Sequence, residues 1–420
     1  MFEGFFTKEQ TSSESRPDGK VYSCASCGMY KYVLHPRMKP YGNGKKGIMV
    51  IGEAPGEDED RRGKPWQGKM GRALQKAYKE LGIDLFEDCI SINAVHCRPT
   101  DEKGNNRAPT GYEISCCRQR TMKLIRQYKP KVVILHGGTA IASIIGARWH
   151  RKLGGVNKWR GWAIPDRELQ TWLCPTMHPS FIERQKGFDE IETIWKQDIR
   201  KAIGMINVPF PTFTPEEQQI ELGECVPTLK RIREDLDILL SIGERPWLAF
   251  DLETTGLKPY DTNTHHIACV SFCYSNEKAY VIPEPKGKQA RALFKALLED
   301  DRIGKIAANM KFEDTWVKTL YGIDVNYWLW DTMLASHVLD NRPDITSLKF
   351  QAYVHFGLAG YDDSVSQYLK GGDGPSDTNR VLEAMEHKST KERIMTYCGI
   401  DSLMTYKLAK KQMEEMGFTL

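Results

Sequence analysis

The sequence predicts an α/β protein of two domains, on three observations. Strand-like and helix-like segments alternate through the first half, which implies a mainly parallel sheet covered by helices. In the second half, a strand leads into Asp251-x-Glu253, and further acids follow at spaced positions. Between the halves, residues 205–225 carry three prolines and little periodicity, the composition of a linker. The expected layout is a lead-in at 1–21, a first domain at 22–204, a linker at 205–228 and a second domain at 229–420.

Composition narrows the class. The 420 residues are 40% hydrophobic and 27% charged, which suits a soluble chain, and no run of about 18 apolar residues predicts a membrane span. The N-terminus, MFEGFFTKEQ, lacks the basic-then-apolar pattern of a secretory signal. Eleven cysteines without such a signal point to the cytoplasm, and to metal ligands or buried thiols rather than disulfides. Residues 1–210 hold 35 Lys and Arg against 23 Asp and Glu, while 211–420 hold 24 against 32. A basic half attracts a phosphate backbone, and an acidic half is what metal-binding carboxylates produce.

In the first half, Cys24-x-x-Cys27 is a two-cysteine knuckle whose partners lie among Cys89, Cys97, Cys116 and Cys117; a zinc site is the generic reading of such spacing. GIMVIG (47–52) reads as a buried strand running into the loop EAPGEDED (53–60) and RRGKPWQGKMG (61–71), where glycine and proline prevent regular structure. α/β folds place their ligands at such strand ends. Helical spacing follows over 71–81, then a strand ending on Ile92-Asn93, Cys97-Arg-Pro, and a helix around 111–127. KVVIL (131–135) is a further strand, followed by a glycine turn and a helix over 139–146; Met177-His-Pro-Ser180 comes near the end.

GEAPGEDED, GKPWQG, the asparagine of INAVHCRP and MHPS, in that order, resemble the family 4 uracil-DNA glycosylases over about residues 22–203. The resemblance implies an α/β/α sandwich and a 4Fe-4S cluster on Cys24, Cys27, Cys97 and Cys117, with Cys116 an adjacent rival for the last place. It also implies that the target nucleotide is flipped out of the stack. Trp66, where the family has Phe, would stack on the base, and Asn93 would read its edge. His178 would stabilise the leaving anion, Glu53 would steady the sugar cation or position water, and Glu59 would support the loop. Trp66 and the neighbouring Gln67 depart from the family pattern and put pocket size in question.

The second half opens with the strand Trp247–Phe250, whose Asp251 and Glu253 share one face. IACVSFCYS and KAYVIP complete a β-meander, an amphipathic helix spans about 288–299, and Ile303–Ala308 leads into Asn309-Met-Lys-Phe-Glu313-Asp314. Asp331 opens a helix, 361–380 reads as a mobile loop, and Tyr397 and Asp401 lie four apart on one helix face. DLETTGL and YCGID together resemble the 3′–5′ proofreading exonucleases of family A DNA polymerases, the Asp-Glu-Asp-Asp-Tyr type, over about 245–415. The resemblance implies an RNase H-like domain using two Mg²⁺ or Mn²⁺ ions about 3.5–4 Å apart. Asp251, Glu253 and Asp401 would bind metal and Tyr397 would orient water, with Asn309 as a substrate contact. Where the family has Asp, this chain has Glu313 followed by Asp314; the asparagine anchor and the helical register of Trp316, Val317 and Leu320 favour Glu313.

The two resemblances together imply a phage replication protein that binds DNA, single-stranded or at frayed 3′ ends, and works with a DNA polymerase or replisome. The chain would be a separate subunit or the front of a longer polymerase. The competing expectation is that the glycosylase-like domain holds DNA or a partner without doing chemistry.

Overall fold

The computed structural model describes residues 14–15, 21–185, 187–371 and 378–418. Most of the expected lead-in lies outside them, although Glu14–Ser15 pairs antiparallel with Val21–Tyr22. The chain forms two compact units. The first runs to Pro211 and includes Val354–Gly357, and the second takes the rest from Thr212.

In the first unit, β1 (Ile48–Gly52), β2 (Cys89–Asn93), β3 (Val132–His136), β4 (Ile164–Asp166) and β5 (Thr171–Thr176) form one sheet in the order β2-β1-β3-β5-β4. All neighbours are parallel except the edge pair β4–β5. Burial on both faces explains why β1 and β3 read as apolar runs, while β2, buried as well, carries Ser91 within it. Ile48, Val50, Val132 and Ile134 pack on one face against Leu74 and Tyr78 and against Trp195 and Ile199, while Met49 and Ile51 turn to the other.

The helices that matter for the site are α1 (Cys24–Cys27), α2 (Glu57–Arg62), α3 (Lys69–Glu80), α4 (Gly111–Tyr128), α5 (Gly138–Ile144), α6 (Pro179–Arg184) and α7 (Asp189–Gly204). α4 starts with a capping box of Thr110 and Glu113, and Arg107 pairs with Glu113 at 2.6 and 2.8 Å.

The second unit is built on six strands: β6 (Ile220–Leu222), β7 (Trp247–Thr254), β8 (Ile267–Cys273), β9 (Ala279–Pro283), β10 (Gly304–Ala307) and β11 (Trp328–Asp331), in the order β11-β10-β7-β8-β9-β6. β7, β8 and β9 form the expected antiparallel meander, while β10 and β11 add in parallel. Two sequence expectations change here. β7 runs on through both acids to Thr254, because Ser271 and Cys269 of β8 pair opposite Asp251 and Glu253. Part of the segment expected as linker, 205–228, belongs to the second unit: Ile220–Leu222 pairs with β9, and a helix begins at Cys225. Three residues are too few to show a period, so the order there comes from the β9 edge and not from local pattern.

The longer helices after Thr212 are α8 (Cys225–Ser241), α9 (Lys288–Leu298), α10 (Met310–Tyr321), α11 (Thr332–Leu339), α12 (Leu348–Phe356), whose residues from Val354 group with the first unit, and α13 (Lys388–Glu415). Leu248, Phe250 and Leu252 join a core with Ile232, Phe294 and Trp316, so the alternate residues Ala249, Asp251 and Glu253 face the opposite side. α13 lies on that side, packed on the sheet close enough that a Cβ at Gly399 would sit 2.6 Å from Ile220 and 2.7 Å from Val281. This close approach lays Tyr397 and Asp401 against the strand acids.

Candidate functional site

Strand ends collect the first set of residues. β1 ends at Gly52, in register with Asn93 at the end of β2, and the next residue, Glu53, accepts a hydrogen bond from Thr139 Oγ1 of α5 at 3.0 Å. A Cβ on Gly52 would fall 2.6 Å from the Trp66 indole and 2.7 Å from Asn93 Oδ1, so both groups crowd over this glycine. Gly137, with φ +91, takes a backbone form suited to glycine, and a Cβ there would lie 2.8 Å from that of His178. His178 caps α6, and its Nδ1 accepts the Ser180 backbone N–H at 3.2 Å, which leaves the proton on Nε2. Burial, with Arg184 nearby, lowers its pKa to about 4, so the ring is a neutral donor at pH 7.

Trp66 has φ +58 and is only 6% exposed. Glu59 shapes its loop: Oε1 accepts the N–H groups of Gln67 and Gly68 at 2.8 and 2.7 Å, and Oε2 accepts that of Gly56 at 3.1 Å. The indole lies 5.7 Å from the His178 ring at 30°, and 6.0 Å from the buried His136 ring at 76°. Glu53, Trp66, Asn93 and His178 thus gather at the C-terminal ends of the strands, with the indole among the polar groups.

The cysteines of α1, Cys97 and α4 form a second group. Cys97, Cys117 and Cys27 share a small cluster with Met29, Val95 and Ile114. Burial pushes Cys27 up to about 12 and Cys97 to about 11, and raises Cys24 and Cys117 as well. Cys117 is within electrostatic reach of Cys97, Cys27 and Cys24, whereas Cys116 reaches Cys24 and Cys27 and sits 3.8 Å from Ser26 Oγ. The Arg37 backbone N–H donates to Cys97 Sγ at 3.3 Å. Two buried thiols, Cys97 and Cys117, and two half-buried ones, Cys24 and Cys27, come from three chain segments and would repel one another if ionised, which suits a cationic centre that takes thiolates.

The acids of the second unit converge. Burial raises the carboxyls of Asp251, Glu253 and Glu313 well above the usual range, and mutual repulsion adds to it: Asp401 on Asp251, Asp251 on Glu253, and Asp251 on Glu313. Glu313 Oε2 is buried without a hydrogen-bond partner among the described residues, while Asp314 accepts the Trp328 indole N–H at 3.3 Å. Tyr397, on the same face of α13 as Asp401, is 7% exposed. Cys398 Sγ lies 3.9 Å from Asp251 Oδ2, and thiol and carboxylates of Asp251, Glu253 and Cys398 fall within 4.8 Å of one another. Asn309 enters through its backbone: its φ is +76, and its N–H donates to Asp331 Oδ1 at 3.2 Å.

Three contributors were not singled out in the sequence as site residues. Asp331 accepts the N–H groups of Asn309, Met310, Met333 and Leu334, tying the starts of α10 and α11 together. Lys349 Nζ lies 2.5 Å from Asp401 Oδ2, and the Tyr361 hydroxyl donates to Asp401 Oδ1 at 2.5 Å. Tyr361 falls in the stretch 361–380 expected to be a mobile loop, of which 372–377 lies outside the described residues. The described part is anchored, with a short helix at Ser366–Leu369, because Tyr361 bonds into the site and Val365 enters the core. The signal for Lys349 was a lysine inside the mostly apolar helix LKFQAYVHF.

These two sites define a DNA-processing chain, a uracil-DNA glycosylase-like domain followed by a 3′–5′ exonuclease domain. A family model described as the uracil DNA glycosylase superfamily matches residues 39–197, and one described as 3′–5′ exonuclease matches 231–416. Through its first domain the chain belongs to the type-4 uracil-DNA glycosylase family. The type-4 enzyme of Thermotoga maritima is 34% identical over 192 residues, covering 44% of this chain and 91% of its own. That of Pyrobaculum aerophilum is 33% identical over 170 residues, covering 39% and 82%. A DNA polymerase of Bacillus phage SP01 is 25% identical over 406 residues, which takes in 89% of this chain and only 40% of the polymerase. Among solved structures, Escherichia coli RNase D overlaps 46% of this chain and 45% of its own at 14% identity and a TM-score of 0.33.

Buried histidines should make the first unit less stable in acid. Burial lowers His96 and His136 to about 3 and His178 to about 4, against 6.5 in the free side chain. Between pH 6.5 and 4 the unfolded chain therefore binds protons that the folded unit refuses, and stability falls as pH falls. Each of His96 and His136 should contribute a loss of about 2 kcal/mol between pH 8 and pH 5. Urea unfolding of the first unit over that range measures it, and His136→Leu should flatten the slope; an equal slope in both proteins contradicts the assignment.

Proposed function

We propose that the second unit degrades DNA from its 3′ end by a two-metal mechanism of the Asp-Glu-Asp-Asp-Tyr type. The observation that carries this is the convergence of Asp251, Glu253, Glu313 and Asp401 beside Tyr397, with Glu313 Oε2 unpartnered. Hard oxygen donors that repel one another suit Mg²⁺ or Mn²⁺. When bound, such cations neutralise the acids, activate water and stabilise charge on the attacking and leaving oxygens. Asp251, Glu253 and Asp401 would hold them, with Glu313 completing the set. The Tyr397 hydroxyl would orient the attacking water, and its buried ring would keep that hydroxyl in place.

In the first unit, Cys24, Cys27, Cys97 and Cys117 would hold a 4Fe-4S cluster, which when bound ties α1 and the Cys97 loop to α4. The shared neighbourhood of these thiols supports that set over one with Cys116. Neutral His178, Asn93 and Glu53 fit the needs of uracil excision: an anion-stabilising Nε2–H, an edge reader and a carboxylate. The position of Trp66 favours a second reading, in which this unit grips DNA without cutting a base. Its ring centre is 5.7 Å from that of His178, a separation within the roughly 4.5–7 Å range of rings in direct contact, so the indole occupies space beside the anion-stabilising donor. Similarity to the phage polymerase supports a role in phage replication, in the host cytoplasm and beside a DNA polymerase, as a separate subunit or as the front of a longer chain.

Asp251→Ala should slow release of nucleotides from 3′-ended single-stranded DNA by about 10³-fold, the scale of losing a group that stabilises developing charge. DNA affinity should stay largely unchanged; wild-type rates in a clean preparation of the variant would refute the nuclease reading.

On DNA with one uracil, incubated without divalent metal and treated with alkali, a cleaving unit gives a break at the uracil that His178→Ala reduces by about 10²–10³-fold. A gripping unit gives none in the wild type, and Trp66→Phe, by shrinking the indole to a phenyl ring, should open the slot and permit some cleavage. Absence of cleavage in both proteins, with DNA affinity intact, leaves the gripping role alone standing.

Anaerobically purified protein should carry iron and sulfide and absorb broadly in the visible. Cys117→Ser should lose both and Cys116→Ser keep them, whereas about one zinc per chain without iron would mark a zinc knuckle instead.

A further inference from the structure

We propose that Lys349 is a positioning residue of the exonuclease site, a tethered cation that competes with the divalent ions for Asp401 and holds the acid cluster together in their absence. The inference rests on the reading of Asp251, Glu253, Glu313 and Asp401 as metal ligands. Four carboxylates meet in a small buried region, and Lys349 is the cation that the described residues set against them.

The geometry fixes the ammonium from three directions. It contacts Asp401 Oδ2 at 2.5 Å, and it lies 4.7 Å from the centre of the Tyr397 ring and 5.4 Å from that of Tyr361. Both rings present a face that attracts a cation. Tyr361 donates to the other oxygen of Asp401, so both carboxylate oxygens are already engaged before a metal arrives. α12 anchors the stem of the lysine, since Phe350, Gln351, Ala352 and Tyr353 beside it are all buried.

A unit charge this close should weaken divalent binding, because two cations then share one set of acids in a medium of low polarisability. The same charge offsets repulsion among the acids when no metal is present. The lysine's flexible four-carbon stem lets the ammonium withdraw as a metal enters, so the exchange is reversible. A lysine that served packing alone would do neither.

The test compares the full chain with Lys349→Met, Lys349→Arg and Asp251→Ala in Mn²⁺ titrations followed by electron paramagnetic resonance, and in thermal unfolding with chelator or with saturating Mn²⁺. Lys349→Met should bind Mn²⁺ about tenfold more tightly than wild type. It should melt lower in chelator and recover in Mn²⁺, as one cation substitutes for another. Lys349→Arg, which keeps the charge, should stay within about twofold of wild-type affinity. Unchanged or weaker Mn²⁺ binding by Lys349→Met, or failure of that variant to fold even with Mn²⁺, overturns the proposal. Equal Mn²⁺ binding by wild type and Asp251→Ala instead overturns the metal-ligand reading beneath it.

Discussion

Repulsion among buried carboxylates is the constraint that organises the second unit. Asp251 and Glu253 lie on a central strand, Glu313 on the helix after β10, and Asp401 on α13, so three chain segments must deliver four like charges to one place. An arrangement of this kind is unfavourable by itself, and the surroundings show what offsets it. Asp331 gathers four backbone N–H groups to fix the turn before Glu313, while Lys349 and Tyr361 take up both oxygens of Asp401. The fold has spent local order to keep acids close that would otherwise separate.

The first unit shows the opposite economy. Its strand ends carry uncharged or singly charged groups, and the tightest element is an aromatic ring. Gly52 admits the indole of Trp66 and the amide of Asn93 together, Gly137 admits His178, and Glu59 pins the loop between. The replacement of a phenyl by an indole at this point enlarges the one side chain for which there is least room. Family membership and a crowded strand end are compatible: a scaffold can keep its cysteines and its strand-end residues around a bulkier side chain.

Much of this was legible in the residues because period and spacing survive in sequence. An apolar run marked β7, the two-residue period of a strand put Asp251 and Glu253 on one face, and the four-residue step from Tyr397 to Asp401 put both on one side of a helix. The choice between Glu313 and Asp314 followed helical register, and the structure pairs Asp314 with Trp328 away from the acids. What was not legible depends on contacts between distant segments. Ile220–Leu222 becomes a strand where an edge is available at β9, and Tyr361 is held by the bond to Asp401 and by packing in the core that Val365 enters. Lys349 was visible as a charge in an apolar helix, but the acid that justifies it lies 52 residues further along the chain.

Gly399 gives the nuclease half an unexpected kind of vulnerability. It touches no substrate and carries no charge, yet the hydrogen it bears in place of a methyl group is what lets α13 rest on Ile220 and Val281. A larger residue would act as a shim, tilting the helix and carrying Tyr397 and Asp401 off the strand acids while leaving every functional group present. Genetic loss of nuclease function in chains of this design should therefore map to a residue of pure clearance as readily as to an acid. An inventory of intact catalytic side chains would score such a chain as active when its two halves of the site no longer meet.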